Sequence, residues 1–206
     1  MSPTRIVPDV TAVKALAHPV RMRMLGLLRL DGPATATQLA QRLDLNSGAT
    51  SYHLRQLEQH GFISEDTERG TGRDRWWKAA HDYTSVDAGS TPAERDASDA
   101  FAQAATINLT EMQQRAVMER AELPDEWRHL SVTTDHFLLL TADQARELRD
   151  RVFALLNEYA AAYPPHPADP DPAAKQYLVQ YHGFPRPGQL IDTGTDTGTA
   201  HDDEFP

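Results

Sequence analysis

Between Asn46 and His60 of this 206-residue chain, one side of any helix drawn through the sequence carries Ser47, Gly48, Ala49, Ser51, Tyr52 and Arg55. The other side carries Thr50, Leu54 and Leu57, spaced four and three apart as a buried stripe requires. Small residues at the amino-terminal end and hydrogen-bonding side chains further along suit a helix whose first turns press against base edges in a major groove, where each base pair offers its own donor and acceptor pattern. A little downstream, Arg69, Arg73, Arg75 and Lys78 supply cations at a spacing that can meet phosphates. Four acids in the same stretch, Glu65, Asp66, Glu68 and Asp74, offset much of that charge.

Other chemistries fit less well. Nine histidines invite a metal site, but the nearest grouping is His129 with Asp135 and His136, and on a strand the last two point to opposite faces. No two histidines stand four apart on a helix with an acid, so no metal ligands are assigned and no cofactor is expected. Catalysis needs a nucleophile with a base, paired carboxylates or a phosphate-cradling glycine loop. None is present, since Gly70 and Gly72 fall at a hairpin tip, and the chain is not read as an enzyme. Trp127, Phe137, Phe153 and Tyr159 can either line a pocket for an apolar effector or serve as ordinary core.

The elements that must position the first group can be read from local rules. Thr35 with Gln38 is a capping-box pattern opening a short helix with Leu39, Ala40 and Leu43 on its apolar face. Asp44-Leu45-Asn46 interrupts it, Asn46 or Ser47 caps a second helix, and Gly61 ends that. Phe62-Ile63-Ser64 reads as a short strand, Glu65 to Thr71 as a polar loop, and Arg73 to Lys78 as a second strand, a hairpin in which Trp76 or Trp77 packs back on the helices. Upstream, Asp9 caps a helix containing Val10, Val13, Leu16 and Ala17. His18-Pro19 breaks and restarts it, and Val20, Met24, Leu27 and Leu28 are the buried face of the next. Arg21, Arg23 and Arg29 ride alongside. For Arg23 and Arg29 the reading is solvation or a helix-end hydrogen bond rather than phosphate contact.

Taken in order, residues 16–28 (LAHPVRMRMLGLL), 35–63 (TATQLAQRLDLNSGATSYHLRQLEQHGFI) and 72–77 (GRDRWW) resemble the winged helix-turn-helix of ArsR/SmtB-like bacterial transcription regulators. The resemblance spans roughly residues 10–80. It implies double-stranded DNA as partner, a homodimer, and a base-reading turn at Ser47, Gly48, Ala49, Ser51 and Tyr52. Thr50 stands where the family often has an aliphatic residue, which implies looser packing or a hydroxyl hydrogen bond beneath the helix. The thiolate metal motif of many members is absent, so metal sensing by that route does not carry over.

Composition agrees with a soluble protein: 24 % of residues are charged and 40 % hydrophobic, without cysteine, which fits a reducing interior. The segment MSPTRIVPDV has no apolar signal core, and the purely apolar runs Phe137–Leu140 and Tyr159–Tyr163 fall far short of a membrane span. A cytoplasmic protein without a membrane partner is expected. The net charge of −10 divides unevenly, with eleven Lys/Arg against eight Asp/Glu up to His81, a balance of +3, and nine against twenty-two, or −13, beyond it. A basic first part with an acidic second part suits one face on DNA and salt-sensitive binding.

The expected organisation is therefore mainly α with small β: a winged helix-turn-helix DNA-binding domain over 1–81, a linker over 82–91, a helical or αβ dimerisation or effector region over 92–182, and a disordered acidic tail over 183–206. Within the third part, Pro92 opens a long helix to about Glu122 with a stripe through Ala97, Phe101, Ala105, Leu109, Met112 and Ala116. That stripe can serve a dimer or its own chain. Leu130 to Leu140 alternates as a strand. Thr141 with Gln144 caps a helix with a seam of Ala145, Leu148, Val152, Leu155, Tyr159 and Ala162. Pro164 to Pro172 must be extended, and Lys175 to His182 reads as a returning strand. The functional reading is a sequence-specific DNA-binding regulator, a repressor acting as a homodimer, in which Ser47, Ser51, Tyr52 and Arg55 read or frame bases while Arg73 and Arg75 clamp phosphate. The alternatives are a winged-helix protein-interaction module and a regulator answering a small molecule bound in the carboxy-terminal region.

Overall fold

The computed structural model describes residues 4–69, 74–167 and 169–190. Strand β1 (Arg5–Ile6) leads into helix α1 (Val10–Leu16) and, after a break at Ala17-His18, helix α2 (Pro19–Leu30). Asp9 caps α1 by accepting from the Ala12 N–H at 2.8 Å. His18 holds extended backbone at the start of α2, with Pro19 in the first turn, where a missing N–H costs nothing. Strand β2 (Ala34–Thr35) runs directly into α3 (Ala36–Leu43), and the Thr35–Gln38 capping box is reciprocal, at 2.9 and 3.3 Å. Asp44 ends α3 in the left-handed region at φ 52°. Asn46 then caps α4 (Ser47–Gln59), its side-chain oxygen accepting from the Ala49 N–H at 2.8 Å. Gly61, at φ 72°, turns the chain out of α4, a geometry that a side chain would strain.

The apolar stripes converge on one core. Leu16, Met24, Leu28, Leu39, Leu54, Leu57 and Phe62 are all buried in it, and Trp77 joins them from the sheet. That sheet contains β3 (Ile63–Glu65) and β4 (Trp76–Ala79) as the antiparallel wing, with β2 paired antiparallel on the other side of β4. The sequence pattern contained the hairpin but not β2, because two residues have no period to detect.

A second pairing crosses the expected linker. Strand β5 (Tyr83–Thr84) lies parallel to β1. The Thr4 N–H and hydroxyl donate to the Asp82 carboxylate at 2.6 and 2.7 Å. Burial acts to raise the Asp82 carboxyl, but those bonds, with Arg29 and His81 nearby, outweigh it and leave the group below its usual value. Arg29, at the end of α2, donates to the His81 carbonyl and the Thr84 hydroxyl, both at 2.9 Å. Burial pulls its guanidinium down to about 10 while Asp82 acts to raise it. Arg29→Ala leaves two part-buried acceptors without their donor and is expected to destabilise the chain by about 1–3 kcal/mol, read as a lower urea midpoint. An unchanged midpoint would show that these two hydrogen bonds contribute nothing.

Thr91 and Glu94 form a further capping box at the start of α5 (Pro92–Glu119). The amino-terminal half of this helix packs on α1 and α2, burying Ala97 and Ala104 and laying Phe101 against the core. Arg23 of α2 meets Glu111 at 3.4 Å, and the carboxy-terminal half is exposed. After a single 3-10 turn and the four-residue α6 (Asp125–Arg128), the expected strand from Leu130 to Leu140 does not form. Residues 131–140 are irregular, with Phe137 93 % and Leu139 96 % exposed. Alternation describes how a strand would bury its side chains, but a strand also needs a hydrogen-bonded neighbour, and among the described residues none is offered there.

The Thr141–Gln144 capping box does form and opens α7 (Ala142–Ala162), yet no residue of α7 is buried. The expected strand over Lys175–His182 is likewise absent, for the same reason. The chain after α7 instead returns to the end of α2, where His166 Nε2 lies 2.9 Å from the Arg29 carbonyl and the Gln176 amide donates to the Leu30 carbonyl. Of the expected tail, residues 191–206 lie outside the described residues. The architecture is mainly α with small β, a winged helix-turn-helix followed by a helical region. No helix among the described residues is long and apolar enough to cross a membrane.

Candidate nucleic-acid interface

Helix α4 is held from beneath. Leu54 and Leu57 enter the core, and Thr50, 0 % exposed, donates its hydroxyl to the Asn46 carbonyl at 3.0 Å. Of the two alternatives that a threonine at this position implied, the hydroxyl hydrogen bond is the one made, so the polar atom is buried without penalty. On the opposite side Ser47, Gly48, Ser51, Tyr52 and Arg55 are exposed and Ala49 is half-buried. Tyr52, the largest of them, is 51 % exposed. A Cβ placed on Gly48 would meet nothing nearer than the Asn46 side-chain oxygen, at 3.4 Å. The chain's own packing therefore does not demand glycine there, and the open space lies on the outward side. Arg55 donates its Nε–H to the Ser51 carbonyl at 3.2 Å, which lays the guanidinium along the exposed face. Among the described residues no carboxylate comes within ion-pair distance of it.

The wing is differently disposed. Arg75 meets Glu65 at 2.7 Å and Glu58, on the last turn of α4, at 3.4 Å, with its guanidinium 4.6 Å from the Trp77 ring centroid. The hydrogen bond to Glu65 and the charges of Glu58 and Glu65 hold Arg75 above its usual pKa. Lys78 reaches Asp66 at 3.3 Å, and Arg69 lies 3.6 Å from the same buried carboxylate while resting over Trp76. The acids that partly neutralise this stretch in composition thus neutralise it in space. Arg75 braces the wing to the end of α4, and contact with a phosphate would require it to leave one carboxylate. Arg73 lies outside the described residues.

Two residues that spacing did not single out also reach this face. His18, before α2, and His53, on the flank of α4, bring their rings to 4.8 Å, and Arg21 stands beside them, acting on both imidazoles. The partners are 35 residues apart, and no local pattern links them.

Trp127, Phe137 and Phe153 open onto one broad apolar groove that also takes in the carboxy-terminal half of α5 and α7. Tyr159 does not line it and stacks on Tyr163 instead. The groove is open to solvent along its length and spans about 3300 Å³, several times the roughly 300–1,000 Å³ of a small-molecule site. No grouping of three or more potential metal-ligating side chains occurs among the described residues.

Residues 16–66 match the family model of a helix-turn-helix domain. The chain carries a helix-turn-helix domain. Its matched span runs from the end of α1 to just past β3, and so contains both helices of the motif and the exposed face of α4. The match supports DNA binding and transcription regulation as the class of function. No curated protein matches the chain. Among solved structures, reduced HlyU from Vibrio cholerae N16961 is similar at 24 % identity over 43 % of this chain and 82 % of that one, with a TM-score of 0.30.

Proposed function

We propose that the protein is a sequence-specific DNA-binding transcription regulator of the ArsR/SmtB-like kind, acting in the bacterial cytoplasm as a homodimeric repressor. The observation that carries this reading is the exposed face of α4. A helix anchored by Thr50, Leu54 and Leu57 leaves Ser47, Gly48, Ser51, Tyr52 and Arg55 free, and the described residues after α5 do not cover it. In a dimer two such helices would enter successive major grooves, about 34–36 Å apart for adjacent half-sites. The unburied apolar surface of residues 107–184 supports a second copy as the dimer partner, because so large a patch is not left to water in a stable monomer. The size of the groove favours that occupant over a small-molecule effector.

Fluorescence anisotropy with the chain's own upstream DNA and a scrambled control tests the reading. Arg55→Ala is expected to weaken binding to the specific site by roughly 1–3 kcal/mol while leaving non-specific binding nearly unchanged. Equal losses on both DNAs would remove Arg55 from base reading, and no preference for any upstream DNA would favour a winged-helix protein-interaction module. Derepression of a reporter on deletion of the protein tests the sign of regulation.

A further inference from the structure

Beside the exposed face of α4, two polar groups are buried without a partner: Arg21 Nε and His53 Nδ1. Their burial fixes the orientation of both side chains and leaves the Arg21 terminal N–H groups and His53 Nε2 as the atoms open to solvent. The surroundings are one-signed. His18 Nδ1 accepts the Val20 N–H at 3.2 Å, so in the neutral ring the proton sits on Nε2, a donor. The His18 and His53 rings lie 4.8 Å apart, and Tyr52 sits edge-on to His53 at 5.4 Å. Burial first, then Arg21, holds His18 below its usual value; burial first, then His18 and Arg21, does the same for His53. Arg21 is itself lowered by burial, against Tyr52. Among the described residues no carboxylate acts on either imidazole. From α5, Glu111 is engaged by Arg23, and on α4, Glu58 is engaged by Arg75. A cluster of donors and potential cations without a counter-charge among the described residues suits a compact anion bearing several acceptor oxygens.

We propose that His18, Arg21, Tyr52 and His53 form a seat for one phosphodiester group of the DNA backbone, at the flank of the recognition helix. The seat rests on the DNA-binding reading above. Arg21 would donate to the phosphate from its terminal guanidinium N–H groups and the imidazoles from Nε2, the nitrogens that remain open to solvent, and Tyr52 would bridge this contact to the base-reading face. A bound phosphate favours the imidazolium form, so complex formation takes up protons and affinity rises as pH falls through the neutral range towards the ordinary histidine value near 6.5.

The test measures DNA affinity against salt and against pH for the full chain, Arg21→Ala, and the double variant His18→Asn with His53→Gln, in which the asparagine keeps a side-chain oxygen able to cap α2. Arg21→Ala is expected to lose about tenfold on specific and scrambled DNA alike and to reduce the salt slope by about 0.9, the value of one phosphate contact. The histidine variant is expected to abolish the pH slope while keeping the sequence preference. If both variants bind DNA with the parent's salt and pH slopes, the seat is overturned and the DNA-binding reading stands; if the parent binds no DNA, both fall. Should Arg21→Ala fail to fold by circular dichroism, the histidine variant decides alone. Inorganic phosphate titrated at constant ionic strength distinguishes the source: displacement of DNA at micromolar concentration would assign the pocket to a free anion and overturn the backbone assignment.

Discussion

Phe62→Ala is expected to lower the unfolding free energy by about 3–5 kcal/mol, the range for removing a fully buried phenylalanine. Phe62 is 1 % exposed and sits where three elements meet. Its N–H donates to the Leu57 carbonyl at 3.0 Å as the chain leaves α4, and its carbonyl accepts from the Ala80 N–H at 3.0 Å beyond β4. The ring lies in the same core as Leu16, Leu54, Leu57 and Trp77, so its loss leaves a cavity at the joint between α4 and the wing. Against a total stability of about 5–15 kcal/mol for a small domain, that is a large fraction. Urea denaturation followed by circular dichroism checks it, and a loss below about 1 kcal/mol would mean that this joint is not what anchors α4.

The second large effect concerns assembly. Changing Phe137 and Leu139 together to aspartate is expected to convert a dimer to a monomer by sedimentation velocity and to reduce operator affinity by about 10²–10⁴, the gain that linking two half-site contacts confers. These two side chains are almost wholly in water in the single chain. Fully burying a side chain of this kind is worth about 1.5–3 kcal/mol, so two copies meeting here have ample drive to associate. Aspartate removes that drive and adds repulsion to a region already rich in acid. Folding of the helix-turn-helix core should be unaffected, since neither residue belongs to it. A parent chain that sediments as a monomer at micromolar concentration would refute the homodimer outright.

Much of the helix-turn-helix framework is legible in the sequence. Thr35 with Gln38, Asn46, Gly61 and Thr141 with Gln144 each do what their types and offsets imply, because capping is settled within four residues of chain. The stripe of Thr50, Leu54 and Leu57 likewise decided which face of α4 would be free. The failures are as physical. The alternation from Leu130 to Leu140 is real, but a strand needs a partner as well as a pattern. Strands β1, β2 and β5 are two residues each, too short to have a period, and exist because neighbours distant in sequence complete their hydrogen bonds.

What the sequence alone determined is the local machinery: where helices start and stop, and which side of each turns inward. Only the tertiary structure decided how the charges are spent. The sequence places acids near Arg75 and Lys78 without saying which cation each engages; in the fold, carboxylates on neighbouring elements engage both and leave Arg55 and Arg21 without one among the described residues. Helical and capping rules act over a few residues along the chain, whereas ion pairing and desolvation depend on distance through space, and the fold alone brings His18 to His53 or Glu58 to Arg75.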